Sequence, residues 1–166
     1  MTSDALLSPC GTYRYWLTRT WDPTKQHACF VMLNPSTADA SVDDPTVKRC
    51  VGFAHSFGCG GLSVVNLFAL RATDPDELKP HRDPVGAGNL EHVVRAALSG
   101  FPVVAAWGTR GGLRGQDRRV VDALREVGVS LFALGWTMRG HPKHPLYLKA
   151  GTPLIPFPTP EGGAPS

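Results

Sequence analysis

The 166 residues read as a single α/β domain, a three-layer sandwich with helices on both faces of a central, mainly parallel sheet of four strands. Three observations predict it. Short, continuous apolar runs recur along the chain, the pattern of strands covered on both faces. Stretches of about ten to fourteen residues with apolar side chains at helical spacing separate those runs, and strands alternating with helices close into a parallel sheet. The composition, 42% hydrophobic and 19% charged, is that of a chain able to bury a core without staples.

The elements follow in order. Tyr13 to Thr18 alternates aromatic and polar residues and opens the fold as a strand. Ala28 to Leu33 is the first core strand. Asp44-Pro45 announces a helix on which Val47, Cys50, Val51, Ala54 and Phe57 share a face, and the glycines of 58–61 end it. Leu62 to Leu70 is the second core strand, and 71–86 is a polar, proline-rich loop. Asn89 to Ser99 is helical, with Leu90, Val93, Val94, Ala97 and Leu98 on one side. Pro102 to Trp107 is the third core strand, followed by a glycine-rich loop. Arg118 to Val127 is a helix with Val120, Val121, Leu124 and Val127 inward, and Val129 to Gly135 is the fourth core strand. Seven prolines from Trp136 onward make the rest mostly loop. The core is expected to span about 12–157, with flexible ends at 1–11 and 158–166.

Composition also narrows function. No basic stretch leads into an apolar one at the start, and no apolar run approaches the ~20 residues that span a bilayer, so a cytoplasmic, monomeric protein without membrane contact is expected. Cys10, Cys29, Cys50 and Cys59 form no C-x-x-C pair, and no H-E-x-x-H or carboxylate–histidine cluster occurs, so neither metal nor cofactor is expected. A G-x-S-x-G elbow is likewise missing. The net charge of +3 is uneven: residues 105–149 hold eight Lys/Arg against three Asp/Glu, a local excess able to attract phosphate.

In parallel α/β folds, ligands bind beyond the carboxyl ends of the strands. Four loops qualify here. The first, Asn34-Pro35-Ser36-Thr37, offers an amide stiffened by a proline and followed by two hydroxyls, either an Asx turn or part of a site. In the second, Asn66 lies inside the apolar run "VVNLFAL", where an unpaired amide costs about 1–3 kcal/mol; its paired donor and acceptor match a nucleobase edge. The third, "WGTRGGLRG", is a glycine-rich turn before a helix, with Arg110 and Arg114 as phosphate contacts. The fourth, "RGHPKHPLYL", carries His141 and His144 in a proline-constrained loop where a histidine can donate to a developing anion.

The four loops in this order resemble the uracil-DNA glycosylase superfamily: "VMLNPSTAD" its first motif, "VVNLF" its base-reading strand, "VVAAWGTRG" its third strand and "HPKHPL" its late His-Pro motif. The chain also closely resembles a bacterial family of unknown function, DUF1643, through "LNPSTAD", "DDPT", "NLFALRATDP" and "HPLYL". The superfamily resemblance implies a glycosylase-like sandwich and a DNA glycosylase, a hydrolase that flips out a damaged or modified base and cleaves its N-glycosidic bond, as in DNA repair. It implies that Asn34 positions the attacking water and that Asn66 binds the base. His144, or His141, would stabilise the leaving charge. Pro35, Ser36, Thr37 and an aromatic, Phe53, Phe57 or Phe68, would shape the base pocket, and Arg110, Arg114 and Lys143 would hold phosphate. An aligned water and a stabilised leaving anion supply most of such catalysis. The alternatives are a non-catalytic nucleic-acid or nucleotide-binding module, or a hydrolase of a small nucleotide-like metabolite.

Overall fold

The computed structural model describes residues 1–158; residues 159–166, most of the expected C-terminal tail, lie outside the described residues. Seven strands, β1 (Thr2–Leu7), β2 (Arg14–Thr20), β3 (His27–Met32), β4 (Gly61–Asn66), β5 (Val103–Ala105), β6 (Leu131–Ala133) and β7 (Ile155–Pro156), form one sheet in the order β1-β2-β4-β3-β5-β6-β7. Three helices, α1 (Pro45–Ser56), α2 (Asn89–Ser99) and α3 (Gln116–Glu126), connect β3 to β4, β4 to β5 and β5 to β6.

The expected four-stranded, mainly parallel sheet is corrected by this topology. The four apolar runs do form a parallel core, β4-β3-β5-β6, but antiparallel strands extend it on both sides. The sheet is therefore mixed, with β1–β2, β2–β4 and β6–β7 antiparallel. Residues 2–7, expected to be a flexible end, pair with β2, with Thr2 opposite Thr20 and Leu6 opposite Trp16. Their side chains are mostly exposed. An edge strand held by backbone hydrogen bonds needs no apolar pattern, so the residues gave no signal.

Alternation along the core strands sends successive side chains to opposite faces. Ala28, Phe30, Met32, Leu62 and Val64 pack on one face with Val47, Cys50, Phe53 and Ala54 of α1. Cys29, Val31, Val65, Val103 and Ala105 pack on the other with Val93 and Ala97 of α2 and Val120 and Leu124 of α3. Helices thus cover both faces, as the periodicity predicted. Three of the four cysteines are buried, and Cys10 is exposed. Among the described residues, no helix is long and apolar enough to cross a membrane.

This topology has a functional consequence. From β3 the chain crosses to β4 through α1 on one face; from β5 it crosses to β6 through α3 on the other. Neighbouring loops leaving β3 and β5 therefore diverge, opening a crevice beyond the carboxyl ends of the strands.

Candidate active site

A cleft of about 580 Å³ fills that crevice, within the size range of small-ligand sites. Three of its walls are predicted loops: Asn34 to Thr37 after β3, Trp107 to Arg110 after β5, and His144 with Leu146 and Tyr147. Asn66, at the end of β4, lies at its floor. Asn34, Asn66 and His144, separated by more than a hundred positions, thus meet in one place.

Asn34 is a clasp. Its Nδ2 donates to the Ala72 carbonyl at 2.8 Å and to the Pro35 carbonyl at 3.0 Å. Ala72 N returns a bond to Pro35 O at 2.9 Å, so the first loop is locked onto the segment after β4. With the NH2 group committed to two carbonyls, Oδ1 is the atom of this amide left for a ligand or a water.

Asn66 is 1% exposed, and neither its Nδ2 nor its Oδ1 has a partner among the described residues. Its backbone, in contrast, is held firmly. Asn89 Nδ2 donates to Asn66 O at 2.9 Å and to Leu67 O at 3.2 Å, and Gln116 Nε2 donates to Leu67 O at 3.2 Å. Asn89 and Gln116 are the first residues of α2 and α3, and both are 1% exposed. Neither stands out in the sequence, because a polar residue at a helix start reads as a local cap.

His144 caps a 3-10 turn over Pro145–Tyr147, its Nδ1 accepting from Leu146 N at 3.2 Å. In the neutral ring that bond assigns the proton to Nε2, making Nε2–H a donor. Burial lowers the pKa of the imidazole below its ordinary value, with Asp44 pulling weakly the other way. Burial thus biases the ring toward its neutral form.

Two further charged residues line the cleft and were not expected there. Asp44 is the N-cap of α1, with its Oδ1 accepting from Val47 N at 2.9 Å. Arg14, the first residue of β2, is 2% exposed, and burial lowers its pKa to about 10. Gly108, on the rim, has a φ of +74°, a left-handed turn that glycine adopts without strain.

The other expected positions do not all lie on this cleft. Phe68 is fully buried in the core on the α2–α3 face, away from the cleft that opens on the α1 side. His141 lines a separate, smaller cleft with Asp117, Arg118 and Arg125. Arg114 turns away and donates to the carbonyls of Lys79 and His81. Lys143 is exposed, and its stem lies against Gly135 rather than on the cleft wall. Arg110 does reach the cleft, paired with Asp76. A second groove of about 510 Å³, lined by Leu6, Trp16 and Ala96, lies at the opposite, amino end of the parallel strands beside His27.

Fold and site together define a class: an open α/β sheet whose polar side chains gather at the reversal of strand order. The particular family follows from direct comparison. The chain belongs to a family of proteins of unknown function, DUF1643, whose model matches residues 14–146. No curated protein and no solved structure matches it.

Proposed function

We propose that the cleft receives a nucleobase and that the protein hydrolyses the N-glycosidic bond of a base-bearing substrate, as DNA glycosylases do. One observation carries this reading: Asn66 keeps a complete, unpartnered amide edge at the floor of the cleft. A buried amide without partners costs about 1–3 kcal/mol, and a ligand presenting an adjacent donor and acceptor, as every nucleobase does, removes that cost.

The neighbours supply the chemistry. Asn34, locked through its NH2, presents Oδ1 to orient a water toward the sugar carbon. The C1′–N bond breaks with its electron pair leaving on the base; the water oxygen bonds to C1′, and its proton ends on the base. His144 Nε2–H donates to the departing base anion, and a neutral imidazole does so without first losing a proton to the base.

A second reading, hydrolysis of a small nucleotide-like metabolite, is favoured by the rim. Arg110 is engaged by Asp76, and Arg114 by two carbonyls, so neither is free to track a phosphate backbone.

The test is a panel of oligonucleotides carrying deaminated, oxidised and hypermodified bases, assayed for abasic sites beside the matching free nucleosides and nucleotides. Release of a free base from one panel member, lost in Asn34→Ala and in Asn66→Leu, is expected. Binding without base release in every member would leave a recognition module and sink the hydrolase.

A further inference from the structure

Two arginines of β2 are equally buried and unequally served. Arg14 and Arg19 are each 2% exposed. Arg19 has a complete set of partners: its guanidinium meets the Asp43 carboxylate at 2.7 Å and donates to the carbonyls of Thr18 and Asp39. Arg14 donates from Nη1 to the Ala38 carbonyl at 2.8 Å, and its Nε is buried with no partner among the described residues. Nη2 makes no hydrogen bond to a described residue, and Arg14 lines the cleft. A buried charge without a counter-ion is destabilising, and such groups are ordinarily paired.

The carboxylate that acts most on Arg14 does not fill that role. Asp44 is close enough to influence Arg14, but its Oδ1 caps Val47 N, and no hydrogen bond joins the two side chains. Arg71 adds a second positive field at the same place. The hydroxyls of Ser36, Thr37 and Thr46 and the first turn of α1 line the adjoining wall. A guanidinium and hydroxyls are groups that hold a phosphate.

We propose that Arg14 is the anchor for the phosphate of a nucleoside monophosphate bound in this cleft. The phosphate half of this assignment stands on Arg14 alone; the nucleoside half rests on the base reading of Asn66 and selects its small-ligand form. A monoester is the fitting species because Arg14 lies at a buried wall, where a terminal group can end but a strand cannot run through.

The experiment is calorimetric titration and thermal denaturation of the full chain with nucleosides, their 5′-monophosphates, the methyl esters of those monophosphates, inorganic phosphate and acetate. A monophosphate is expected to bind roughly ten- to a hundredfold more tightly than its nucleoside, the span of a charge-assisted contact. Inorganic phosphate alone is expected to raise Tm, and acetate is not. Arg14→Gln should erase both the gap and the phosphate effect, with Arg14→Lys intermediate. Equal binding of nucleoside and monophosphate overturns the proposal, as does a gap that survives in Arg14→Gln. A methyl ester that keeps the full gap overturns the monoester, and acetate matching phosphate overturns the phosphate. Phosphate held through Arg14 with no nucleoside preference leaves the anchor standing and removes the base reading. Should Arg14→Gln fail to fold, the wild-type comparison of nucleoside, monophosphate and inorganic phosphate decides by itself.

Discussion

Asn89 holds Asn66 from behind. The Asn89 Nδ2 bonds to the carbonyls of Asn66 and Leu67, at 2.9 and 3.2 Å, fix the end of β4 to the start of α2. Gln116 does the same from α3. Two helix starts thus immobilise the backbone of a residue whose side chain is left free. A polar group meant to meet a ligand needs that kind of support, because its backbone must be in place before the ligand arrives.

Asn89→Ala removes both bonds and strands a buried carbonyl. The expected loss is about 1–3 kcal/mol of unfolding free energy, measured by urea denaturation. Ligand binding in the cleft should weaken in parallel, although Asn89 is not part of its wall.

Asn66→Leu has the opposite sign. It replaces an unpaired buried amide with an apolar side chain of similar size, so the free protein is expected to gain about 1 kcal/mol, read as a raised Tm. Every ligand that depends on the amide edge should be lost. A variant that is less stable than wild type would show that Asn66 is already satisfied.

Asn34→Asp tests the clasp. An ionised carboxylate cannot donate, so it would face the carbonyls of Pro35 and Ala72 as a third acceptor. It is expected to destabilise the protein more than Asn34→Ala does, by about 1–2 kcal/mol. The chemically milder change is therefore the more disruptive one, and thermal denaturation of the two variants side by side checks the order.

His144 gives stability a pH dependence. Burial lowers its folded pKa below the ordinary 6.5, so between those two values the unfolded chain holds more proton than the folded one. Stability therefore falls as pH drops through 6.5 toward the folded value, and above 6.5 His144 contributes no slope. His92, also lowered by burial, acts in the same direction. His144→Asn keeps an acceptor for Leu146 N but does not titrate. Its Tm between about pH 5 and 8 should vary less than that of wild type, with the His92 part remaining.

Much of this architecture is legible in the chain. α2 spans Asn89–Ser99, the range its apolar spacing predicts, and all four apolar runs are neighbouring parallel strands. The strand-end rule brought Asn34, Asn66 and His144 together without knowledge of any contact. Residues whose role depends on distant partners escaped it. Arg14 carries no local sign that Arg19 alone would receive a carboxylate, since Asp43 lies 24 positions further on. Asp44 reads as a helix cap, and it is one; that the capped end faces a cleft follows only from the strand order. Arg110 and Arg114 looked available because a charge count cannot foresee Asp76 or the carbonyls of the 79–81 loop. β1 and β7 join through backbone bonds, and periodicity does not report those.

The unpartnered amide of Asn66 also alters how selectivity arises. A hydrogen-bonding group on an ordinary surface must shed water before it meets a ligand, and that exchange shrinks each bond to about 0.5–1.5 kcal/mol. At Asn66 folding has already done the dehydration, so a complementary ligand recovers more of the intrinsic strength of the bond. A ligand without an adjacent donor and acceptor leaves the amide as isolated as before and gains nothing there. Discrimination in this cleft is thus set by whether a ligand carries a donor beside an acceptor, and the dehydration that enforces it is complete before any ligand enters.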